Sequence, residues 1–162
     1  NQILTATNLV ANDYKIFRTF KSSINQNCGK LIKRRLYFSF GEIGSGKTTF
    51  TRNLINYLQN LEKSKPTQVL SPTFNLLYEY ELKNYKIMHY DLYRLKNIKE
   101  VSQLGIFNEN IKTVKIIEWP KFIKDKIKDK IELKFSYCKN ENERNLKIER
   151  FGKWKNFKID EI

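Results

Sequence analysis

The sequence predicts an α/β domain. Three observations carry that expectation. A short apolar run, Leu36–Phe40, passes through a glycine-rich turn into an amphipathic helix. Downstream of that helix come several short apolar and aromatic runs separated by turn residues. The chain has 162 residues, 40% of them hydrophobic and 30% charged, which suits one domain over residues 1–162 with its own core.

The elements follow in order. Ile16, Phe17, Phe20 and Ile24 fall on one helical face within residues 12–24, and Asn12 or Asp13 could cap that helix. Residues 25–34 are polar and contain Gly29, which predicts a loop. Leu36–Phe40 reads as a buried strand ending at Gly41. From Thr48 to Leu61, Phe50, Leu54, Ile55, Leu58 and Leu61 recur at three- and four-residue steps, the period of a helix with one apolar face. Val69-Leu70 predicts a short strand. Phe74–Leu82 and Tyr85–Asp91 predict a hairpin turning at Asn84. Ile98–Leu104 predicts a short helix stopped by Gly105. Thr113–Ile117, Ile131–Tyr137 and Asn145–Ile148 predict three further strands. There is no internal repeat and no linker.

Composition narrows the class. No apolar run approaches the ~20 residues of a membrane span, and the N-terminus carries no secretory pattern. Cys28 and Cys138 are far apart and form no CxxC pair, which argues against a zinc ribbon or redox dithiol and suits a reducing cytosol. A cytoplasmic protein is expected. The net charge of +14 invites a nucleic-acid reading, but the lysines are spread from Lys15 to Lys158 among many Asn and Ile. Lys30, Lys33, Arg34 and Arg35 are the densest cluster, either a solvated loop and strand edge or a patch for RNA or an acidic partner.

The strongest motif is GEIGSGKTTF, Gly41–Phe50, which satisfies G-x-x-x-x-G-K-[ST]. Three of the six glycines, Gly41, Gly44 and Gly46, lie within six residues. Glycine lets the backbone take positive φ and approach an anion closely. Successive N–H groups then point inward around phosphate oxygens, and the following helix aims its positive end at the same place. Lys47 is expected to reach the β- and γ-phosphates, and Thr48 to offer its hydroxyl to Mg²⁺. A plain glycine turn would satisfy the local geometry but needs no Lys-Thr pair. The motif predicts a nucleoside triphosphate site.

Such sites need a second acidic group at the end of a neighbouring strand. Two residues qualify: Glu118, after Val114–Ile117, and Asp91, after Lys86–Tyr90. Either could instead cap the next turn. No N/T-K-x-D base-reading tetrapeptide follows the loop, so ATP is favoured over GTP, and no arginine cluster suggests the lid of a nucleotide kinase. Ser71 and Thr73 carry hydroxyls that could reach a phosphate or its water, or form an ordinary Ser-Pro turn. His89 alternates with Asp91, which puts both on one strand face, though a lone histidine is more often a structural group than a catalyst. Tyr93 and Arg94 could position a switch or meet a partner protein, and Arg94 could instead form an ordinary salt bridge.

GEIGSGKTTF, SPTFNLLYEY, HYDLYRL and IEWP, in that order over roughly residues 36–120, resemble the TsaE family of bacterial ATPases required for threonylcarbamoyl modification of tRNA adenosine. The resemblance implies a P-loop NTPase-type domain with a mixed central β-sheet flanked by helices. It implies weak ATPase activity and action with TsaD and TsaB, tRNA being reached indirectly. Gly44, Ser45, Gly46, Lys47, Thr48 and Thr49 would wrap the phosphates. Thr48 and Glu118 would hold Mg²⁺, and Asp91 would serve hydrolysis. Ser71-Pro72-Thr73 would be a switch-like loop near the γ-phosphate. Trp119 and Arg144 would lie beside the nucleotide, as would a residue near Asn12. Glu42 and Asn75 depart from the family pattern, and residues 25–35 are longer and more basic than it. Two other classes remain: a small-molecule or nucleotide kinase on the same scaffold, and a basic RNA-binding module.

Overall fold

The structure is a computed structural model that describes residues 2–7, 36–108, 112–139 and 143–156. The expected helix over 12–24, the basic segment 25–35 and the residue near Asn12 lie outside the described residues.

Seven strands form one sheet in the order β1-β7-β6-β2-β5-β4-β3. They are β1 (Gln2–Thr7), β2 (Leu36–Phe40), β3 (Leu77–Glu81), β4 (Lys86–Asp91), β5 (Thr113–Glu118), β6 (Ile131–Tyr137) and β7 (Glu143–Arg150). The four central strands, β6, β2, β5 and β4, run parallel. Antiparallel pairs extend the sheet on both sides, with β3 on β4, β7 on β6 and β1 on β7. The mixed sheet is therefore parallel where it is most buried, as parallel sheets generally are. All six positions of β5 are buried.

Alternation along the strands feeds two cores. Tyr37, Ile116 and Leu133 face helix α1 (Lys47–Leu61) and meet Phe50, Leu54, Ile55 and Leu58. Their neighbours Phe38 and Ile117 face the other way, with Tyr90, and pack with Leu92, Val101, Ile106 and Ile123. Val101 comes from the short helix α2 (Ile98–Gln103). Asn97 caps α2 by accepting from Glu100 N–H, and its amide donates back to the Glu100 carboxylate, a reciprocal cap that explains why six residues hold a helix.

The structure departs from the expected elements in two places. Val69-Leu70 is not a strand. Val69 is buried against α1, and its carbonyl accepts from Arg52 Nε at 3.0 Å rather than from a neighbouring strand. Phe74–Leu76 belongs to a turn closed by Leu76 N–H on the Pro72 carbonyl, so β3 starts only at Leu77. β1 was not anticipated.

The carboxyl ends of the parallel strands share one edge of the sheet. There Phe40 leads into the glycine loop, beside Asp91, Glu118 and Tyr137. Open α/β sheets present ligand crevices at this edge. Gly41 makes the turn off β2 with φ of 142°. A Cβ there would stand 2.7 Å from the Phe135 carbonyl oxygen and 2.5 Å from Ser45 Oγ. Gly41→Ala is therefore expected to cost about 2–4 kcal/mol, through overlap with fixed backbone and a disfavoured φ. Urea unfolding of the variant checks this.

Candidate functional site

The loop between β2 and α1 has φ of 77° at Gly44 and 99° at Gly46, conformations that glycine adopts without strain. Gly46 is the N-cap of α1, no side chain bonds to the cap, and no acidic residue lies in the first turn. The first N–H groups of the helix lack intrahelical acceptors. Unneutralised, they form an electropositive concavity suited to an anion. Thr48 and Thr49 continue this first turn. Ser45 is fully buried beneath the loop, and its hydroxyl has no partner among the described residues.

Lys47 folds back over this concavity. Its Nζ donates to the carbonyls of Gly41 at 2.9 Å and Glu42 at 2.7 Å, and it lies 4.2 Å from the Trp119 ring centroid. Burial pushes its pKa below the ordinary lysine value, against the opposing pull of Glu118 and Asp91.

Asp91 and Glu118 are direct neighbours in the β4–β5 register. Their contacts differ. Glu118 accepts from Thr48 Oγ1 at 3.0 Å and 3.2 Å, one distance to each carboxylate oxygen. Its Oε1 also lies 2.9 Å from His89 Nε2. An ionised carboxylate only accepts, so His89 carries its proton on Nε2. His89 is fully buried, and its Nδ1 has no partner among the described residues. Asp91 instead faces the segment before β3. Its Oδ2 accepts from Thr73 Oγ1 at 2.8 Å, and Thr73 Oγ1 is 2.9 Å from Ser71 Oγ. Its Oδ1 accepts from Tyr93 N–H at 2.9 Å. One carboxylate is thus bonded to the first turn of α1 and the other to Ser71-Pro72-Thr73.

Trp119 directly follows β5 and has φ of 58°, a strained conformation for an aromatic residue. Its N–H donates to the Ser39 carbonyl, and its ring lies 4.9 Å from that of Tyr93. This turns the indole out of the core and under Lys47. Arg144, on β7, comes near the loop through an intermediary. Its guanidinium is 4.5 Å from the Tyr137 ring centroid, and Tyr137 Oη donates to the Ile43 carbonyl at 2.7 Å.

The residues singled out from sequence therefore converge on one edge of the sheet. One participant, Tyr137, was not singled out, and for His89 and Tyr93 the sequence did not supply the partners seen here, Glu118 for the imidazole and Asp91 and Trp119 for Tyr93. Tyr137 bonds to a residue 94 positions away, so local pattern carried no signal for it. The i, i+2 spacing of His89 and Asp91 did place both on one face of β4.

Comparison with known proteins agrees with this geometry. The family model "Threonylcarbamoyl adenosine biosynthesis protein TsaE" matches residues 15–146. A TsaE protein of Rickettsia conorii is 43% identical over 84 residues, covering 52% of this chain and 46% of the relative. One from Haemophilus influenzae is 36% identical over 80 residues, covering 49% of this chain and 48% of the relative. The chain spans about half the length of these curated relatives. A crystal structure of YdiB from Bacillus subtilis superposes with a TM-score of 0.61 at 17% identity, over 93% of this chain and 87% of that one, which supports the P-loop NTPase-type fold. With the family model covering most of its length, the chain belongs to the TsaE family.

Proposed function

We propose that this protein is a Mg²⁺-dependent ATPase serving threonylcarbamoyl modification of tRNA adenosine, acting with TsaD and TsaB in the cytoplasm. The observation that carries the nucleotide chemistry is the Thr48–Glu118 contact beside the glycine loop. The pathway rests on family membership.

The residues fit a magnesium ion. Thr48 donates its proton to Glu118, which leaves its oxygen lone pairs for a cation, and Glu118 supplies negative charge. Among the described residues no three His, Cys, Asp or Glu side chains cluster to hold a metal by themselves. That agrees with magnesium, which commonly takes one or two protein groups and completes its shell with phosphates and water. When bound, the ion would offset charge building up on the phosphates.

The chain's own groups do the rest. N–H groups of Gly44 to Thr49 bind phosphate oxygens. Lys47 exchanges its bonds to the Gly41 and Glu42 carbonyls for the β- and γ-phosphates. His89 holds Glu118 in its orientation through Nε2–H. Asp91 orients the attacking water: when a γ-phosphate draws the Thr73 hydroxyl away, Oδ2 is released to accept from that water. Thr73 and Ser71 thereby report the presence of the γ-phosphate, in the manner of nucleotide switch loops.

A partner surface adjoins this segment. Phe74 directly follows Thr73, is 84% exposed, and has Arg94 5.5 Å from its ring centroid. Ile43, on the glycine loop, and Tyr93, two residues after Asp91, are also exposed. Solvent-facing aromatic and aliphatic groups suit a protein contact.

ATP turnover by the protein alone and mixed with TsaD and TsaB tests the proposal. Slow turnover that the partners alter is expected. Absence of turnover in every mixture would remove the ATPase reading, and a rapid rate that depends on an added nucleoside or sugar acceptor would replace it with a kinase. Phe74→Ala is expected to leave ATP affinity unchanged and to weaken the partner effect by about tenfold, the scale of one exposed aromatic anchor. A titration of the partners against turnover checks this.

A further inference from the structure

We infer that Tyr137 is a positioning residue for the phosphate cradle: its hydroxyl holds the Ile43–Gly44 peptide so that Gly44 N–H faces the phosphate. The inference rests on the nucleotide-binding reading above and adds to it a residue outside the loop motif.

The first support is a constraint of the peptide bond. In a planar trans peptide, C=O and the following N–H point in opposite directions. Tyr137 Oη donates to the Ile43 carbonyl at 2.7 Å, from the carboxyl end of β6. Fixing that carbonyl toward Tyr137 fixes Gly44 N–H away from it. Without the bond, this peptide can turn over, because glycine at position 44 permits both orientations. A carbonyl turned into the cradle would set a negative dipole against the phosphate.

The second support is packing. A Cβ on Gly44 would stand 3.1 Å from the Tyr137 hydroxyl, so the tyrosine fits closely against the bare glycine backbone. The third is that the tyrosine is itself held. Arg144 is its register partner across β6 and β7, and the guanidinium lies 4.5 Å from the ring centroid. Arg144 therefore acts on the loop through Tyr137. The β6–β7 hairpin becomes a wall of the site, although no residue in it belongs to the loop motif.

Tyr137 is 47% exposed, so removing its hydroxyl should leave the core intact. The test is Tyr137→Phe, which keeps the ring and the Arg144 contact and removes only the donor. Affinity for MgADP, measured by calorimetry, is expected to fall by about three- to tenfold, the scale of one hydrogen bond. The thermal midpoint should stay unchanged, which a merely structural role would not allow. In the nucleotide-free protein, the Gly44 amide resonance should move in the ¹H–¹⁵N spectrum.

Wild-type affinity together with an unmoved Gly44 amide would overturn the inference. A loss of affinity seen only with Tyr137→Ala would also overturn it, assigning the ring rather than the hydroxyl. If the wild-type protein bound no nucleotide at all, the nucleotide reading would fall by itself. The Gly44 resonance would then decide the tether alone: a shift supports it, no shift removes it.

Discussion

Glu118→Gln is expected to lower MgATP turnover by about two to three orders of magnitude, the scale on which one preorganised electrostatic group acts on a developing charge. The change is small in shape. Glutamine can place its single amide oxygen where Oε1 stands, within reach of both Thr48 and His89, which leaves its NH2 where Oε2 stands. What disappears is the negative charge and the second acceptor oxygen, Oε2, which lies 3.2 Å from Thr48 Oγ1. The turnover loss should therefore come with a higher magnesium concentration for half-maximal rate, and with little change in unfolding. Magnesium titrations of steady-state turnover measure both. A variant that keeps its rate within threefold, at an unchanged magnesium requirement, would remove Glu118 from the metal-holding role and leave Asp91 as the remaining acid at this edge.

Lys47→Met is expected to act on function and stability in opposite directions. Affinity for MgATP should fall by about a hundredfold or more, because Lys47 is the loop's cation for the phosphates. The nucleotide-free protein should lose no stability, and should gain up to about 1 kcal/mol, as buried or strained functional groups commonly permit. Lys47 is buried, and desolvation is the largest influence on its pKa, holding it below the ordinary value of 10.5. The folded chain therefore binds this proton less tightly than the unfolded chain does. The resulting cost is present in full below the lowered value. It diminishes as pH rises from the lowered value toward 10.5, so this group makes wild-type stability climb across that alkaline window. The methionine variant should lack that climb. The two carbonyl bonds and the Trp119 ring offset part of the cost, which is why the expected gain is small. Denaturant unfolding at pH 7 and across the alkaline range, beside calorimetric titration with MgATP, reads both signs.

What was legible in the sequence was local. Leu36–Phe40, the glycine loop and the helix to Leu61 follow one another without interruption, so period and turn chemistry place them together. Ile131–Tyr137 emerged with the same bounds, since alternating apolar residues of a half-buried strand need no distant partner to be recognised. Val69-Leu70 misled because the residues are right for a strand while the hydrogen bonding is not. A side chain, Arg52, takes the Val69 carbonyl. β1 was missed because its six residues mix Gln and Thr with short apolar groups and gain their meaning only from β7. At the site, sequence left Asp91 and Glu118 as alternatives for one role. Register made them neighbours with different partners, and register is a property of strand pairing rather than of either strand. Tyr137 lies in the same class: a recognisable strand-end residue whose contact depends on where β6 lies relative to β2.

The pairing of β1 with β7 has a consequence for how the chain emerges from the ribosome. Thr7 pairs with Glu143, and Gln2 with Ile148. At about 5–20 residues per second, the first strand waits roughly seven to thirty seconds before its partner has been synthesised. The parallel centre and the glycine loop are built from residues that arrive earlier, so one edge of the sheet stays open until β7 has emerged. That window is when a chaperone has most reason to engage it.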